Sequence, residues 1–127
     1  MNYDFFLDYP PTVNNYYVKT QRGVFISQKG RKYRAAVAEA INGQMPGLHI
    51  EEKMLVEVIL YPPDNRKRDL DNYMKSLLDA LTQAGLWEDD SLIDQLFVYR
   101  GVKVSPSGSV TVSIREAAPL LPVGYTL

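Results

Sequence analysis

The sequence predicts one α+β (mixed α/β) domain, with a mixed sheet and two main helices in the order β-β-β-α-β-α-β-β. Three observations carry that prediction. Six short runs rich in β-branched and aromatic residues are bounded by Pro, Gly or Asn. Two longer stretches, roughly 28–42 and 70–84, place apolar residues at helical spacing. No repeat, low-complexity tract or linker interrupts residues 1–127, so the chain reads as a single domain.

Residues 3–8 (YDFFLD) form a first strand, aromatic-rich and ended by Pro10-Pro11. PPTVNNYY reads as a loop by its Pro and Asn content. YYVKTQRGVFIS reads as a hairpin, two β-branched and aromatic runs around a polar Gln-Arg-Gly turn. Ser27 then N-caps a helix reaching about Asn42, with Tyr33, Ala36, Val37, Ala40 and Ile41 as its stripe and Asn42-Gly43 as its stop. QMPGLHI is a loop. From Glu52 to Tyr61 the chain alternates in part and is rich in Val, Ile and Leu, which predicts a central strand ended by Pro62-Pro63. After the polar PDNRKR, Leu70, Met74, Leu77, Leu78 and Leu81 recur at helical spacing up to Gly85. Trp87 to Ser91 is an acidic turn. IDQLFVYRGVKV and SVTVSIRE are the last two strands, joined by the turn SPSG. The uncharged tail 117–127 reads as flexible or as packed on a partner.

Composition narrows the function classes. An apolar share of 46% and a charged share of 23% are those of an ordinary globule with a core that needs no staples. The absence of cysteine excludes a disulfide framework, a thiolate metal site and a Cys nucleophile, and fits a reducing compartment. No apolar stretch has membrane-spanning length and MNYDFFLDYPP lacks a basic leader, so a cytoplasmic protein without membrane contact is expected. Phosphate-binding glycine patterns are missing, so no nucleotide cofactor is expected. The net charge is only −1, but it is unevenly spread. Residues 9–38 contain no acid and carry Lys19, Arg22, Lys29, Arg31, Lys32 and Arg34, leaving the acids concentrated at 51–57 and 69–94. A basic block beside an acidic focus fits a polyanion footprint next to a metal site, or else a solvated helix face.

The acidic focus begins at RDLDNYMKSLLDAL, residues 68–81. On a continuous helix Asp69 and Asp71 point apart, because each residue turns the chain by about 100°. They converge only if Asp69 precedes the helix in an extended or N-cap conformation. A plain capping role covers Asp69, and a first-turn acid covers Asp71. Lys75 and Asp79 continue the face of Asp71, but an exposed i,i+4 pair contributes only about 0.3–0.5 kcal/mol. For Asp89 or Asp90 to join Asp69 and Asp71, the chain must return antiparallel, or a partner subunit must supply the carboxylate. Hard carboxylates without His or Cys suit Mg²⁺ or Mn²⁺. Zinc does not suit them, since the one histidine, His49, lies in a separate loop. An EF-hand fails because Met74 stands where its glycine belongs. Arg66, Lys67 and Arg68 beside these acids make sense if a phosphodiester bridges metal and cations.

At these residues the sequence resembles the RusA family of Holliday-junction resolvases. The match runs from Arg68 to Asp90 as R-D-L-D-N, Lys75 and D-A-L-T-x-A-G-x-W-x-D-D, and upstream PPTVNNYY is similar to the family's Pro-Pro-x-x-Asn-Asn-x-Tyr-Tyr loop. The resemblance implies a homodimeric, Mg²⁺-dependent (or Mn²⁺-dependent) endonuclease of phage or prophage origin. Such an enzyme resolves branched DNA by paired symmetric nicks in recombination and repair, with a preference for a CC dinucleotide. It places the family's essential acids at Asp69, Asp71 and Asp90, which hold the metal, and its essential lysine at Lys75. Arg68 falls on a basic position that touches phosphate. With Arg66, Lys67, Lys19, Arg22, Lys29, Arg31, Lys32, Asn14 and Asn15 it makes up the expected DNA-binding set. Tyr16 and Tyr17 stack at the junction centre or are buried hairpin aromatics. Two rival functions share part of this pattern: a phosphoesterase acting on other substrates, and a junction-binding protein whose carboxylates only cap a helix.

Overall fold

The computed structural model describes residues 1–126, and the element order matches the sequence expectation with one addition. Strand β1 (Asn2–Asp8) is followed by a one-turn helix α1 (Val13–Tyr16), then the hairpin β2 (Tyr17–Thr20) and β3 (Gly23–Ile26). Helix α2 (Gln28–Gln44), β4 (Met54–Tyr61), α3 (Met74–Gln83), β5 (Ile93–Arg100) and β6 (Ser109–Glu116) complete the chain. The addition is α1, inside the segment expected to be loop. Thr12 O accepts the amides of both Asn15 and Tyr16, so the Asn pair sits on a helical turn.

The main sheet has the order β1-β6-β4-β5, so β4 is central as its Val, Ile and Leu content predicts. β6 is antiparallel to both neighbours, and β4 and β5 are parallel. One face is apolar in rows across the strands. Phe5, Val112 and Val58 are in register, as are Leu7, Val110 and Leu60, and all are buried. Tyr33, Val37 and Ile41 of α2 and Leu77, Ala80 and Leu81 of α3 join them in the core. Burial at alternate β4 positions is what one covered face and one open face produce.

Four local readings differ from expectation. α2 runs through the expected stop at Asn42-Gly43 to Gln44. The apolar repeat from Leu70 is not one helix: Leu70–Tyr73 is a 3-10 turn that leads into α3 at Met74. The strand expected over 93–104 ends at Arg100. SPSG does turn, with Gly108 N bonded to Ser105 O at 3.2 Å, but it does not close a hairpin, because β4 lies between β5 and β6. Residues 101–108 carry the chain over the end of β4. There Gly108, at φ +72°, leaves no room for a Cβ, which would lie 3.0 Å from Tyr61 O and from the Pro63 ring.

Candidate active site and nucleic-acid interface

Asp69 holds the N-cap position of the 3-10 turn with an extended backbone (φ −84°, ψ 130°), as convergence with Asp71 requires. Its side chain makes no capping hydrogen bond. Both carboxylates are exposed, and among the described residues neither pairs with a cation or caps an amide. The capping role that sequence alone allows Asp69 is therefore not the one its side chain performs. Nearby acids behave differently. Asp64 binds the Arg68 guanidinium at 2.6 Å and also receives the Arg66 amide and side chain. Arg68, then the Arg66 amide, hold the Asp64 carboxyl well below the usual carboxylate range.

Lys75 and Asp79 lie one and two turns along from Asp71. Asp79 is committed to the fold through one oxygen: its Oδ2 accepts from the Tyr16 hydroxyl and from Arg34 Nη2 and Nε at 2.8 and 3.1 Å. Arg34 Nε also reaches the Tyr16 hydroxyl at 2.8 Å. Burial, and then the bond to Asp79, push the Tyr16 phenol up. Tyr16 is fully buried, which settles its role as a core aromatic, while Tyr17 is half-buried and packs edge-on against it at 4.8 Å between centroids. The Lys75 ammonium lies 5.4 Å from the Tyr17 ring centroid. Lys75 and Tyr17 line a cavity of about 340 Å³ together with Asn14, Lys19, Val13 and Val24.

Asp89 and Asp90 divide two tasks. Asp89 caps the 3-10 turn Asp90–Leu92 by accepting the Ser91 amide at 3.1 Å, and that bond holds its carboxyl below the usual range. Asp90 caps nothing. Partial burial, then Asp89 and Asp79, push its carboxyl up. The topology also fixes where Asp90 lies. Trp87 bridges to Ile50, just before β4 begins, whereas the Arg68 carbonyl accepts Arg100 Nη2 at 2.5 Å, where β5 ends. Asp69 and Asp90 thus stand near opposite ends of β5, a length on the order of 20 Å. Asp90 neighbours Asp79 and not Asp69. Within one chain the structure brings Asp69 and Asp71 together on one turn and places Asp90 apart.

The expected DNA-binding residues form two groups. Asn14 and Asn15 on α1, Lys19 and Arg22 on the hairpin, and Lys29, Arg31 and Lys32 on α2 are all exposed and enter no ion pair among the described residues. Asn15, Lys29 and Lys32 share a cleft of about 470 Å³ with Tyr9 and Tyr33, separate from the cavity that Lys75 lines. The remaining group is partly committed to the fold. Arg68 is tied to Asp64 and to the carbonyls of Asp64 and Arg66, while Arg34, the last cation of the basic block, belongs to Asp79. Arg66 pairs with Asp64 but stays exposed, and Lys67 is exposed.

Among the described residues one set of three potential metal ligands lies mutually within 4.8 Å, and it is not the aspartates: it is His49, Glu51 and Glu88. His49 Nδ1 meets Gly85 O at 2.7 Å and Nε2 meets Glu88 at 3.1 Å; the carbonyl, then Glu88, raise the imidazole above its ordinary value. All three side chains are exposed. Sequence reasoning passed over this grouping, because only the Ile50–Trp87 bridge brings residue 88 beside 49 and 51.

Comparison with known proteins identifies the family. The family described as "Endodeoxyribonuclease RusA" matches residues 8–115. The chain is 42% identical over 114 residues to the crossover junction endodeoxyribonuclease of Enterobacteria phage HK97. It is 38% identical over 116 residues to that of phage 82, and 36% over 116 residues to that of Escherichia coli K12. Each match covers 90% of this chain and 94% of the relative. The chain belongs to the RusA endodeoxyribonuclease family.

Proposed function

We propose that this protein is a divalent-metal-dependent endonuclease that resolves four-way DNA junctions by paired, symmetric nicks, and that it works as a homodimer. The observation that carries this reading is a contrast among six aspartates. Asp64, Asp79 and Asp89 each hold a guanidinium, a hydroxyl or an amide, whereas Asp69, Asp71 and Asp90 pair with no cation and cap no amide among the described residues. Carboxylates that neither a protein cation nor an amide occupies, at the positions the family's acids occupy, are suited to bind a cation.

The donor set fits Mg²⁺, with Mn²⁺ able to substitute: it consists of hard oxygens, with no sulfur and with the one histidine engaged elsewhere. When bound, the ion supplies Lewis-acid stabilisation and an activated water. Asp69 and Asp71 hold it from one turn, and Asp90 serves as a third ligand from the partner subunit, which is the route left open when the two ends of β5 separate them in one chain. A two-fold dimer then carries two such sites at a fixed spacing, as paired nicking requires. Lys75 steadies the scissile phosphate or the leaving oxygen. Lys19, Arg22, Lys29, Arg31 and Lys32, with Asn14, Asn15, Arg66, Lys67 and Arg68, contact the backbone phosphates of the arms and contribute affinity more than base readout. No described helix is long and apolar enough to cross a membrane, and the proposed place of action is the DNA of a bacterial host cell.

The test is incubation of the protein with a synthetic four-way junction, with and without Mg²⁺, and separation of products on a denaturing gel. The expected result is a symmetric pair of nicks that requires the ion. In Asp71→Asn, junction binding persists by mobility shift while cleavage disappears. Cleavage by that variant at the wild-type rate would refute the metal assignment, and equal cutting of linear duplex would refute the substrate.

A further inference from the structure

We propose that Tyr17 is a positioning residue for Lys75, and that the Arg34–Asp79–Tyr16 cluster clamps it in place. The inference rests on the nuclease reading above and goes one step further. Lys75 has a carboxylate one turn before it, Asp71, and another one turn after it, Asp79. Among the described residues its ammonium pairs with neither and lies 5.4 Å from the Tyr17 ring centroid.

The reason is visible in the contacts of Asp79. Its charge is already matched by Arg34, which brings two nitrogens to Oδ2 beside the Tyr16 hydroxyl, so its pull on Lys75 along the helix is weakened. A ring face attracts an ammonium without neutralising it. Held this way, Lys75 lines the cavity it shares with Asn14 and Lys19, where a phosphate would meet two lysines and an amide.

The ring itself is fixed from behind. Tyr17 packs edge-on against Tyr16, at 4.8 Å and 76°, and Tyr16 is fully buried. Ser27 Oγ donates to the carbonyls of Asn15 and Tyr16 at 2.6 and 3.0 Å, which anchors the backbone leading into Tyr17. The cluster therefore links α1, α2 and α3 and ends at a single exposed amine. Small displacements of such a group cost rate more than affinity.

Two measurements test the role. In single-turnover cleavage of a four-way junction with Mg²⁺, Tyr17→Leu is expected to slow cutting by about 10-fold or more, with junction affinity within about two-fold of wild type. Tyr17→Phe, which keeps the ring, restores the rate, and Tyr17→Leu combined with Lys75→Ala is no slower than Lys75→Ala alone. Independently of activity, proton–carbon NMR should show the Lys75 ε-methylene shifted upfield by the ring in wild type and in Tyr17→Phe, and unshifted in Tyr17→Leu. Wild-type cutting by Tyr17→Leu, additive losses in the double variant, or an unshifted ε-methylene in the wild-type protein would each overturn the role. If the wild-type protein cuts no junction at all, the nuclease reading falls and this role with it, while the NMR result still decides whether the contact exists.

Discussion

Two glycines in the same helix should respond to alanine with opposite signs. A Cβ on Gly30 would lie 2.5 Å from Tyr16 O and 2.7 Å from Ile26 Cγ1, whereas nothing stands within 4 Å of one on Gly43. Ordinary carbon contacts begin near 3.5 Å, so about 1 Å must be found at Gly30. The obstructing carbonyl cannot rotate away, since it accepts the Ser27 amide at 2.9 Å and the Ser27 hydroxyl at 3.0 Å. Overpacking of this kind costs roughly 3 kcal/mol at its upper range, against about 1 kcal/mol gained by replacing glycine in a helix. The net is about 2 kcal/mol of destabilisation. With an unfolding entropy of about 2.1 cal/mol/K per residue, a chain of 127 residues loses roughly 7 °C in Tm. Gly43→Ala, in the last turn, should gain about 0.5 kcal/mol, or roughly 2 °C. Thermal melts followed by circular dichroism at 222 nm measure both. A Gly30→Ala protein that melts at or above wild type would refute the claim that α2 is pressed against the Tyr16 backbone.

Three further outcomes are expected. Tyr16→Phe removes the hydroxyl shared by Asp79 and Arg34, and should cost about 1–2 kcal/mol in urea unfolding with an unchanged slope. Replacing Lys29 or Lys32 by Ala should weaken junction binding and lower the slope of log K against log salt by about 0.9 each, which a salt series of mobility shifts reads directly. Burial, and then the neighbouring Tyr73, push the Tyr9 phenol up from 10.0 to about 12. A raised acid favours its protonated form in the fold. Its contribution is therefore full below pH 10 and lost as pH rises through about 12. Absorbance at 295 nm should show one tyrosine titrating near 12, with Tm falling across that window.

How much of this was legible in the sequence depends on the range of the forces involved. Strands such as Met54–Tyr61 and the α2 cap at Ser27 follow from local pattern, because alternation and a hydroxyl bonded to the Gly30 amide are properties of a few adjacent residues. Pairing is not local. SVTVSIRE and IDQLFVYR, eight residues apart and joined through a true turn, look like a hairpin from their own chemistry. β6 nevertheless lies between β1 and β4, where both of its neighbours are antiparallel and its Val110, Val112 and Ile114 are buried. The site divides the same way. The family motif brings attention to Asp69, Asp71, Lys75 and Asp90 by spacing, but that Arg34 and Arg68 are bound to Asp79 and Asp64 depends on contacts across 45 residues in one case and an irregular loop in the other. The His49–Glu51–Glu88 grouping depends on a single bridge and has no signature in the chain.

The separation of Asp90 from Asp69 is a consequence of topology and not of a local accident. β4 and β5 are parallel neighbours, so the segment between them must run back along the sheet before β5 can start. α3 is that return. A residue that opens α3 is therefore near the strand ends, and a residue that opens β5 is near the strand beginnings. No rotamer of Asp90 bridges the length of a strand. If the three carboxylates share one ion, a second copy must turn its own Asp90 toward the first copy's Asp69 and Asp71. By two-fold symmetry the reciprocal site forms at the same time. Metal binding and dimerisation are then a single equilibrium. Dilution below the dimer's dissociation constant should abolish Mg²⁺ binding and cleavage together, and Asp90→Asn mixed with Asp69→Asn should recover one working site per heterodimer. Sedimentation and cleavage on the mixed protein test this directly. A mixture that stays as inactive as either variant alone would place all three ligands within one chain, against the strand order.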